Sequence, residues 1–380
     1  MVQRMQGTIV QIGKFYPPHL GGMETHLRDL VSGLSGREDV RVIVAGDSIR
    51  GRLDRMDGAA ITRVPTLGVL ASMPVTPTLP WELMRAKPAL VHVHVPNPAA
   101  AFAIVTARYY GPLVIMHQSD TLGRRTLKRI ADPFVKAMMR RADRIIVASQ
   151  RYLDSSEELA PYRAKCRVIP LGINIEKDHE NVEAESTKIQ REHGPRLVLA
   201  VGRLVGYKGF RYLVESMRMV DATLLLVGTG PLDATLKQAA QDLGVSHKVK
   251  FLGRVDDLQK YYRASSVFVL PSISRAEAFG LVQLEAMAAG LPVINTDLNS
   301  GVPEVSLDGV TGITVPPEDS GSLAQAINRL LADAGMRKRM GEAGRVRARR
   351  EFAPGLMIER TMRLYEEVLL EREIGHPLRS

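Results

Sequence analysis

Short apolar runs alternate with longer amphipathic segments along nearly the whole 380-residue chain, and no other feature narrows the possible folds as much. Runs at residues 8–12, 40–45, 89–93, 113–117, 144–148 and 167–170 read as strands. The pattern restarts at 196–201 and continues at 224–227, 249–251, 267–270, 292–295 and 313–315. Segments between them, such as 22–34 and 99–109, carry apolar residues at helical spacing. Continuously apolar strands separated by helices predict α/β units with parallel sheets covered on both faces. Ligands of such sheets lie beyond the carboxyl ends of the strands. The length suits about two domains. The predicted boundaries are a first doubly wound domain at 1–172, a polar, acidic linker at 173–195, a second doubly wound domain at 196–352, and a C-terminal helix at 353–380 that crosses back toward the first. The two domains are expected to face each other across a cleft.

Composition matters mainly through its distribution. The formal net charge of +10 lies wholly in the first part: residues 1–172 hold 24 Lys+Arg against 14 Asp+Glu, and the rest hold 27 of each. A basic half and a neutral half imply different partners, and nucleic acid, a membrane surface or a phosphorylated substrate all suit the first. Arg124, Arg125, Lys128, Arg129, Lys136, Arg140, Arg141 and Arg144 cluster around apolar residues at helical spacing, which predicts a basic amphipathic helix broken or bent near Pro133. It reads either as a solvated helix face or as a surface for anionic lipid. Aromatic residues are only 5% of the chain, too few to supply stacking platforms for nucleic acid, so no nucleic-acid partner is expected. The lone cysteine, Cys166, excludes a disulfide framework or a Cys-built zinc site. The longest uncharged stretches, 64–81 and 88–107, carry four and three prolines and do not read as spanning helices. With no apolar signal core near the N-terminus, the expectation is a soluble cytoplasmic protein, peripheral on the inner face of the cytoplasmic membrane.

Four segments carry chemistry. Gly21-Gly22 precedes a helix, where glycine lets backbone N–H groups approach an anion. Arg203 and Lys208 share the loop after the first strand of the second domain, and two cations there suit a diphosphate. Gly228-Thr229-Gly230-Pro231 follows a strand, but Asp233 replaces the third glycine of a dinucleotide fingerprint. The most specific segment runs from Ser274 to Gly290. Glu277 lies on a loop, Phe279, Gly280 and Leu281 open a helix, and Glu285 lies within it. Carboxylates accept hydroxyl hydrogen bonds, as a ribose or sugar requires.

These motifs, with Ser300-Gly301-Val302-Pro303-Glu304-Val305 and Gly309-Val310-Thr311-Gly312, make the chain resemble a retaining glycosyltransferase of the GT-B fold, group 1 or family 4, over nearly its whole length. His117-Gln118-Ser119-Asp120 at a strand end, followed by the basic helix, resembles bacterial mannosyl- and rhamnosyltransferases of surface polysaccharide assembly. The resemblance implies two Rossmann-like domains and a hexosyltransferase. It implies that Gly21 and Gly22 approach the donor, that Arg203 and Lys208 hold its diphosphate, and that Glu277 binds the sugar hydroxyls. Phe279, Gly280 and Leu281 would supply N–H groups, Glu285 would bind the ribose, and His117 would lie near the donor sugar. Arg124, Arg125, Lys128 and Arg129 would meet the membrane or acceptor. No Asp-x-Asp triplet occurs, so no metal and no cofactor beyond the nucleotide-sugar substrate is expected. The implied function is transfer of a hexose, with mannose from GDP-mannose leading, to a polyprenyl-diphosphate-linked or other saccharide acceptor in lipopolysaccharide or exopolysaccharide synthesis. A UDP- or dTDP-sugar with a soluble acceptor, and a non-catalytic nucleotide-sugar or nucleic-acid binder, are the alternatives.

Overall fold

The structure, a computed structural model, describes residues 5–19, 21–70, 73–120, 125–173 and 181–375. The chain forms two compact units, Met1–Gly172 with Pro354–Ser380, and Ile173–Ala353.

Unit 1 is built on β1 (Ile9–Ile12), β2 (Val40–Ala45), β3 (Arg52–Met56), β4 (Ala59–Val64), a short antiparallel pair β5 (Val69–Leu70) and β6 (Met73–Pro74), then β7 (Leu90–Val95), β8 (Leu113–His117), β9 (Arg144–Val147) and β10 (Cys166–Val168). The main sheet runs β10-β9-β8-β7-β1-β2-β4-β3 and is parallel except at its β3–β4 edge. Every residue of β1, β7 and β8 is buried, as expected where helices cover both faces. The edge hairpin β3–β4 was not foreseen, because its strands mix charged and apolar residues. Its turn did carry a signal: Asp57 and Gly58 sit at φ 52° and 79°, the backbone that an Asp-Gly pair adopts in a tight hairpin.

One buried face of this sheet is polar. His92 and His94 alternate with valines along β7, and Gln11 pairs with His92 in register on β1. Tyr365, from the helix Pro354–Gly375, closes this stripe. His94 Nε2 donates to Gln11 Oε1 (2.9 Å), Gln11 Nε2 donates to the Tyr365 oxygen (2.9 Å), and the Tyr365 hydroxyl donates to His92 Nδ1 (2.6 Å). The relay assigns both histidine tautomers through their partners. His26, from the helix Gly22–Ser35, packs 5.5 Å from His94, and neither of its nitrogens has a partner among the described residues. Arg144 extends the same attachment by donating to Glu367 (2.7 Å) and Glu371, and Arg372 reaches Asp143 (2.7 Å). The C-terminal helix is thus part of unit 1, while the preceding helix Ala334–Glu351 belongs to unit 2.

The basic helix is a single element, Arg125–Arg141, with Pro133 inside it, so of the expected break or bend the break does not occur. Arg144 lies outside it on β9, and Arg141 is half-buried against Tyr109 and donates to Gly111 O (2.8 Å). These two cations bind the fold together instead of facing a partner.

Unit 2 holds β11 (Leu197–Val201), β12 (Thr223–Val227), β13 (Val249–Gly253), β14 (Val267–Leu270), β15 (Val293–Thr296) and β16 (Gly312–Val315), all parallel in the order β13-β12-β11-β14-β15-β16. Its core gathers Val198, Ala200, Leu224, Leu226, Val267, Val269 and Ile294 under helices that contribute Phe210, Leu213, Leu236 and Ile327. Within the stretch read as a linker, Val182–His193 is a helix. Ile189 is buried, and Glu183 and Glu185 pair with Arg263 (2.6 Å) and Lys260 (3.6 Å) on the helix Gln259–Ala264. Its acidic composition reflects those cations and not solvent alone.

Burial drives the pKa of His26 down to about 4 and that of His92 to about 3, and it lowers His94 strongly, with the neighbouring imidazoles of His92 and His26 opposing its protonation as well. All three are held neutral, so the unfolded chain binds more protons than the native one below the ordinary histidine value. Their contribution to stability is complete above about pH 6.5 and is lost as pH falls from there, toward 4 for His26 and toward 3 for His92. His26 alone carries about 3 kcal/mol of this difference. Denaturant midpoints should therefore fall steeply between pH 7 and pH 5, and His26→Leu should flatten that slope; an unchanged slope refutes the assignment.

Candidate active site

Each unit has a topological switch point where consecutive crossovers leave the first strand in opposite directions, β1/β7 in unit 1 and β11/β14 in unit 2. Loops there leave a crevice at the carboxyl edge of the sheet.

In unit 2 the chain leaves β11 through Gly202 and exposed Arg203, then makes a single tight turn, Gly206–Lys208. Gly209 follows at φ 68°, a left-handed conformation, and a Cβ there would overlap the carbonyl oxygen of Pro271 beyond β14. Glycine is therefore required for the two switch-point loops to meet backbone to backbone. Gly228 has the same role one strand away, where a Cβ would strike the carbonyl of Gly202. The Gly-x-Gly segment is accordingly a packing device between the loops after β11 and β12.

That approach brings Lys208 and Glu277 into an ion pair with both residues 8% exposed. Ser272 donates its hydroxyl to Glu277 Oε2 (3.0 Å), and Thr296 holds the Ser272 carbonyl (2.5 Å). Burial by itself lowers the pKa of Lys208, but the Glu277 carboxylate overrides it and holds the ammonium above the ordinary lysine value. A charged, desolvated pair therefore sits at the switch point.

Next to it the helix Leu281–Ala288 begins at Gly280, φ 74°. Its first amides have no intrahelical acceptors, and no acidic residue occupies its first turn. Buried Gln283 donates to Phe279 O (2.8 Å), and Asn295 donates to the carbonyls of Val302 (3.0 Å) and Ser306 (3.1 Å), so the helix start is braced from below. Glu285 accepts from the buried Tyr262 hydroxyl (2.8 Å), and burial together with that carboxylate raises the tyrosine pKa well above its ordinary value. Arg203, Lys208, Glu277, Phe279, Gly280, Leu281 and Glu285 thus lie on the loops and helix that follow β11 and β14. A groove of about 290 Å³ lined by Arg263, Ser266, Pro292, Arg337 and others opens at the amino ends of β14 and β15, away from these groups. Its place in the topology argues against a ligand site there.

In unit 1, Gly21 and Gly22 open the helix Gly22–Ser35, whose first turn carries Glu24. That carboxylate already occupies the position favoured by the helix dipole. His117 ends β8, 1% exposed, and neither ring nitrogen has a hydrogen-bond partner among the described residues. Its Nε2 lies 3.7 Å from Glu158 Oε1. Asp120 Oδ1 accepts from Tyr152 (2.8 Å) and Ser156 (2.9 Å). His117, Asp120 and Glu158 offer ligand atoms within 4.8 Å of one another and are the one such group among the described residues. The three residues come from β8, the loop after it and the turn beyond the helix Gln150–Ser155, so no Asp-x-Asp spacing marks them. Arg124 lies outside the described residues, as do the side chains of Arg125 and Lys128; Arg129 is exposed.

Residues 181–347 match the family described as glycosyl transferases group 1, and residues 20–177 match glycosyltransferase family 4. The D-rhamnosyltransferase WbpZ of Pseudomonas aeruginosa is 32% identical over 71% of this chain and 71% of its own. The chain belongs to the group 1 glycosyltransferases. The O-antigen chain mannosyltransferase C of Escherichia coli is 28% identical over 93% of this chain and 96% of its own. Sucrose-phosphate synthase from Thermosynechococcus elongatus superposes with a TM-score of 0.79 at 23% identity, covering 96% of this chain and all of its own, which gives the enzyme a GT-B fold. It is a hexosyltransferase.

For this glycosyltransferase, the sequence motifs missed the supporting residues Ser272, Tyr262, Gln283 and Asn295. Their signal was a polar residue within an otherwise apolar run, which is ordinary surface patterning until burial is known. Lys208→Met should destabilise unit 2 by about 3–5 kcal/mol because it strands the Glu277 charge, and Lys208→Met with Glu277→Gln should recover most of that loss. Additive losses in a denaturation cycle would show that the two groups are not coupled.

Proposed function

We propose that the enzyme transfers mannose from GDP-mannose, with retention, to a lipid-linked or saccharide acceptor in surface polysaccharide or glycolipid synthesis. The observation that carries this reading is the desolvated Lys208–Glu277 pair at the unit 2 switch point, beside a helix N-terminus without acidic residues. The names of the two bacterial relatives support mannose or rhamnose over other sugars. In this reading Arg203, Lys208 and the amides at Phe279, Gly280 and Leu281 hold the donor diphosphate. Glu277 accepts from the hydroxyls of the hexose, Glu285 accepts from the ribose, and the Gly21-Gly22 turn leaves backbone N–H groups open to an anion. His117 contributes an imidazole to a sugar hydroxyl.

The bond from the hexose C1 to the diphosphate oxygen breaks while the acceptor oxygen bonds C1 from the same face. The acceptor proton passes to the departing phosphate oxygen, so no protein base is needed. Negative charge grows on the diphosphate as this happens. Fixed cations and amides already aimed at it lower the barrier without reorganising. These groups replace a metal in stabilising the leaving group, so transfer should continue in EDTA. Loss of activity in EDTA would direct attention to His117, Asp120 and Glu158.

Among the described residues no helix is long and apolar enough to cross a membrane. We place the enzyme peripherally on an anionic membrane surface through the exposed Arg129, Lys136 and Arg140 of the helix Arg125–Arg141. A thermal-shift screen with GDP-, UDP-, dTDP- and ADP-sugars tests the donor, since a ligand that binds only the native state raises the midpoint. GDP-mannose should give the largest rise. Glu277→Ala and Arg203→Ala should each lower turnover by roughly a hundredfold or more. A preference for UDP- or dTDP-sugars overturns the donor, and turnover like that of the unmodified enzyme in both variants overturns the site.

A further inference from the structure

The charge-free stretch 64–81 has no part in the chemistry above, and although Val64 and Leu79 are buried, five of its large apolar residues are exposed. Leu67 is 65% exposed and Trp81 61%, and Val69, Leu70, Val75 and Met84 are exposed with them. Among its described residues, β5 pairs with β6, Leu67 N–H donates to Val75 O (3.0 Å), and Val75 N–H donates to Gly68 O (2.9 Å). Thr66 and Thr76, at the base of this pair, are buried. The helix Leu79–Ala86 follows. Leu79 and Leu83 fill the core, whereas Trp81 and Met84 on its other side stand in solvent. An exposed concentration of large apolar side chains marks an interaction surface; half-buried Glu82, between Trp81 and Met84, is the acidic residue of the helix.

The surrounding charges indicate the partner. Arg85 lies 5.2 Å from the Trp81 ring, and Lys87 is exposed just beyond. The helix packs beside Pro98–Thr106, where Phe102 is exposed, and that helix packs beside Arg125–Arg141, where Arg129 and Ile130 are exposed. Apolar side chains rimmed by cations match the boundary between acyl chains and anionic headgroups, where tryptophan and arginine are favoured. The segment also leaves β4 at its carboxyl end, the same edge of the sheet at which His117 ends β8 and the Gly21 loop follows β1.

We propose that segment 64–81 with the helix Leu79–Ala86 is a wedge that seats unit 1 in the interfacial layer of an anionic bilayer, with the carboxyl edge of its sheet held at the membrane. This rests on the membrane-side acceptor proposed above and supplies the apolar half of a contact for which the basic helix supplies the charge. Two such signals are what stable peripheral attachment requires.

Trp81 is the sole tryptophan, so its fluorescence reports on this segment in the full, unmodified chain. With vesicles of phosphatidylglycerol and phosphatidylcholine in equal parts, its emission should shift to the blue and be quenched by lipids brominated along the acyl chain. Val69→Asp with Leu70→Asp should weaken vesicle association by roughly tenfold or more while the thermal midpoint and the response to nucleotide sugars stay unchanged. Three results overturn the wedge: flotation with vesicles while Trp81 emission and quenching stay as in buffer, no association with anionic vesicles, or a concentration-dependent blue shift without lipid, which would identify a second copy of the chain as the partner. Failure of the proposed transfer reaction appears instead in the nucleotide-sugar screen, which contains no lipid.

Discussion

The buried ion pair between Lys208 and Glu277 is the interaction on which the organisation of unit 2 depends. Removing two charges from water costs several kcal/mol for each ion, and their mutual attraction offsets that only with good geometry and satisfied neighbours. The chain provides both conditions. Gly209 lets the loop after β11 touch the loop after β14, and Ser272 donates to the carboxylate. Thr296 fixes the Ser272 carbonyl from the next strand. Filling the space at Gly209 would separate these loops and leave each ion without its partner. In the proposed function the same pair meets the sugar diphosphate, so the group that is expensive for folding is the one assigned to the chemistry.

Unit 1 handles its buried polarity without ions. The relay from His94 through Gln11 and Tyr365 to His92 uses neutral groups, each donating to the next. Its last member but one comes from a helix more than 350 residues along the chain from Gln11. Without that helix, Gln11 and His92 would lose a buried partner, a loss worth about 1–3 kcal/mol for each unsatisfied group. The ion pairs of Arg144 and Arg372 add an exposed border to the same contact. This explains why the helix Pro354–Gly375 belongs to unit 1 although unit 2 precedes it in the chain. It also explains why part of the positive charge of the first 172 residues serves attachment and not recognition.

Much of the fold was legible because buried parallel strands have little freedom of composition. The runs around β1, β7, β8 and β11 are apolar on both faces, and such a run has few other homes. The candidate donor site was legible for a related reason: glycines, cations and carboxylates at strand ends have local signatures. The elements that escaped are those whose composition is set by a partner. The helix Val182–His193 looked like a linker because Glu183 and Glu185 answer Arg263 and Lys260, which lie far along the chain. The hairpin β3–β4 mixes polar and apolar residues because it closes the edge of the sheet. Arg144 falls in the basic cluster although its own run reads as a strand, and only its partner, Glu367, comes from far along the chain.

The sequence by itself determined the class of fold and the family and singled out the candidate donor residues, since periodicity and motif spacing are local properties of the chain. Tertiary structure alone decided which of those residues are charged and buried together. It turned a Gly-x-Gly resembling a nucleotide fingerprint into a packing contact, and it tied the last helix to the first unit through Tyr365. It also decided which apolar residues remain uncovered: Val69, Leu70 and Trp81 are as apolar in composition as the core. Burial is a property of the whole arrangement of neighbours, and no local pattern of residues contains it.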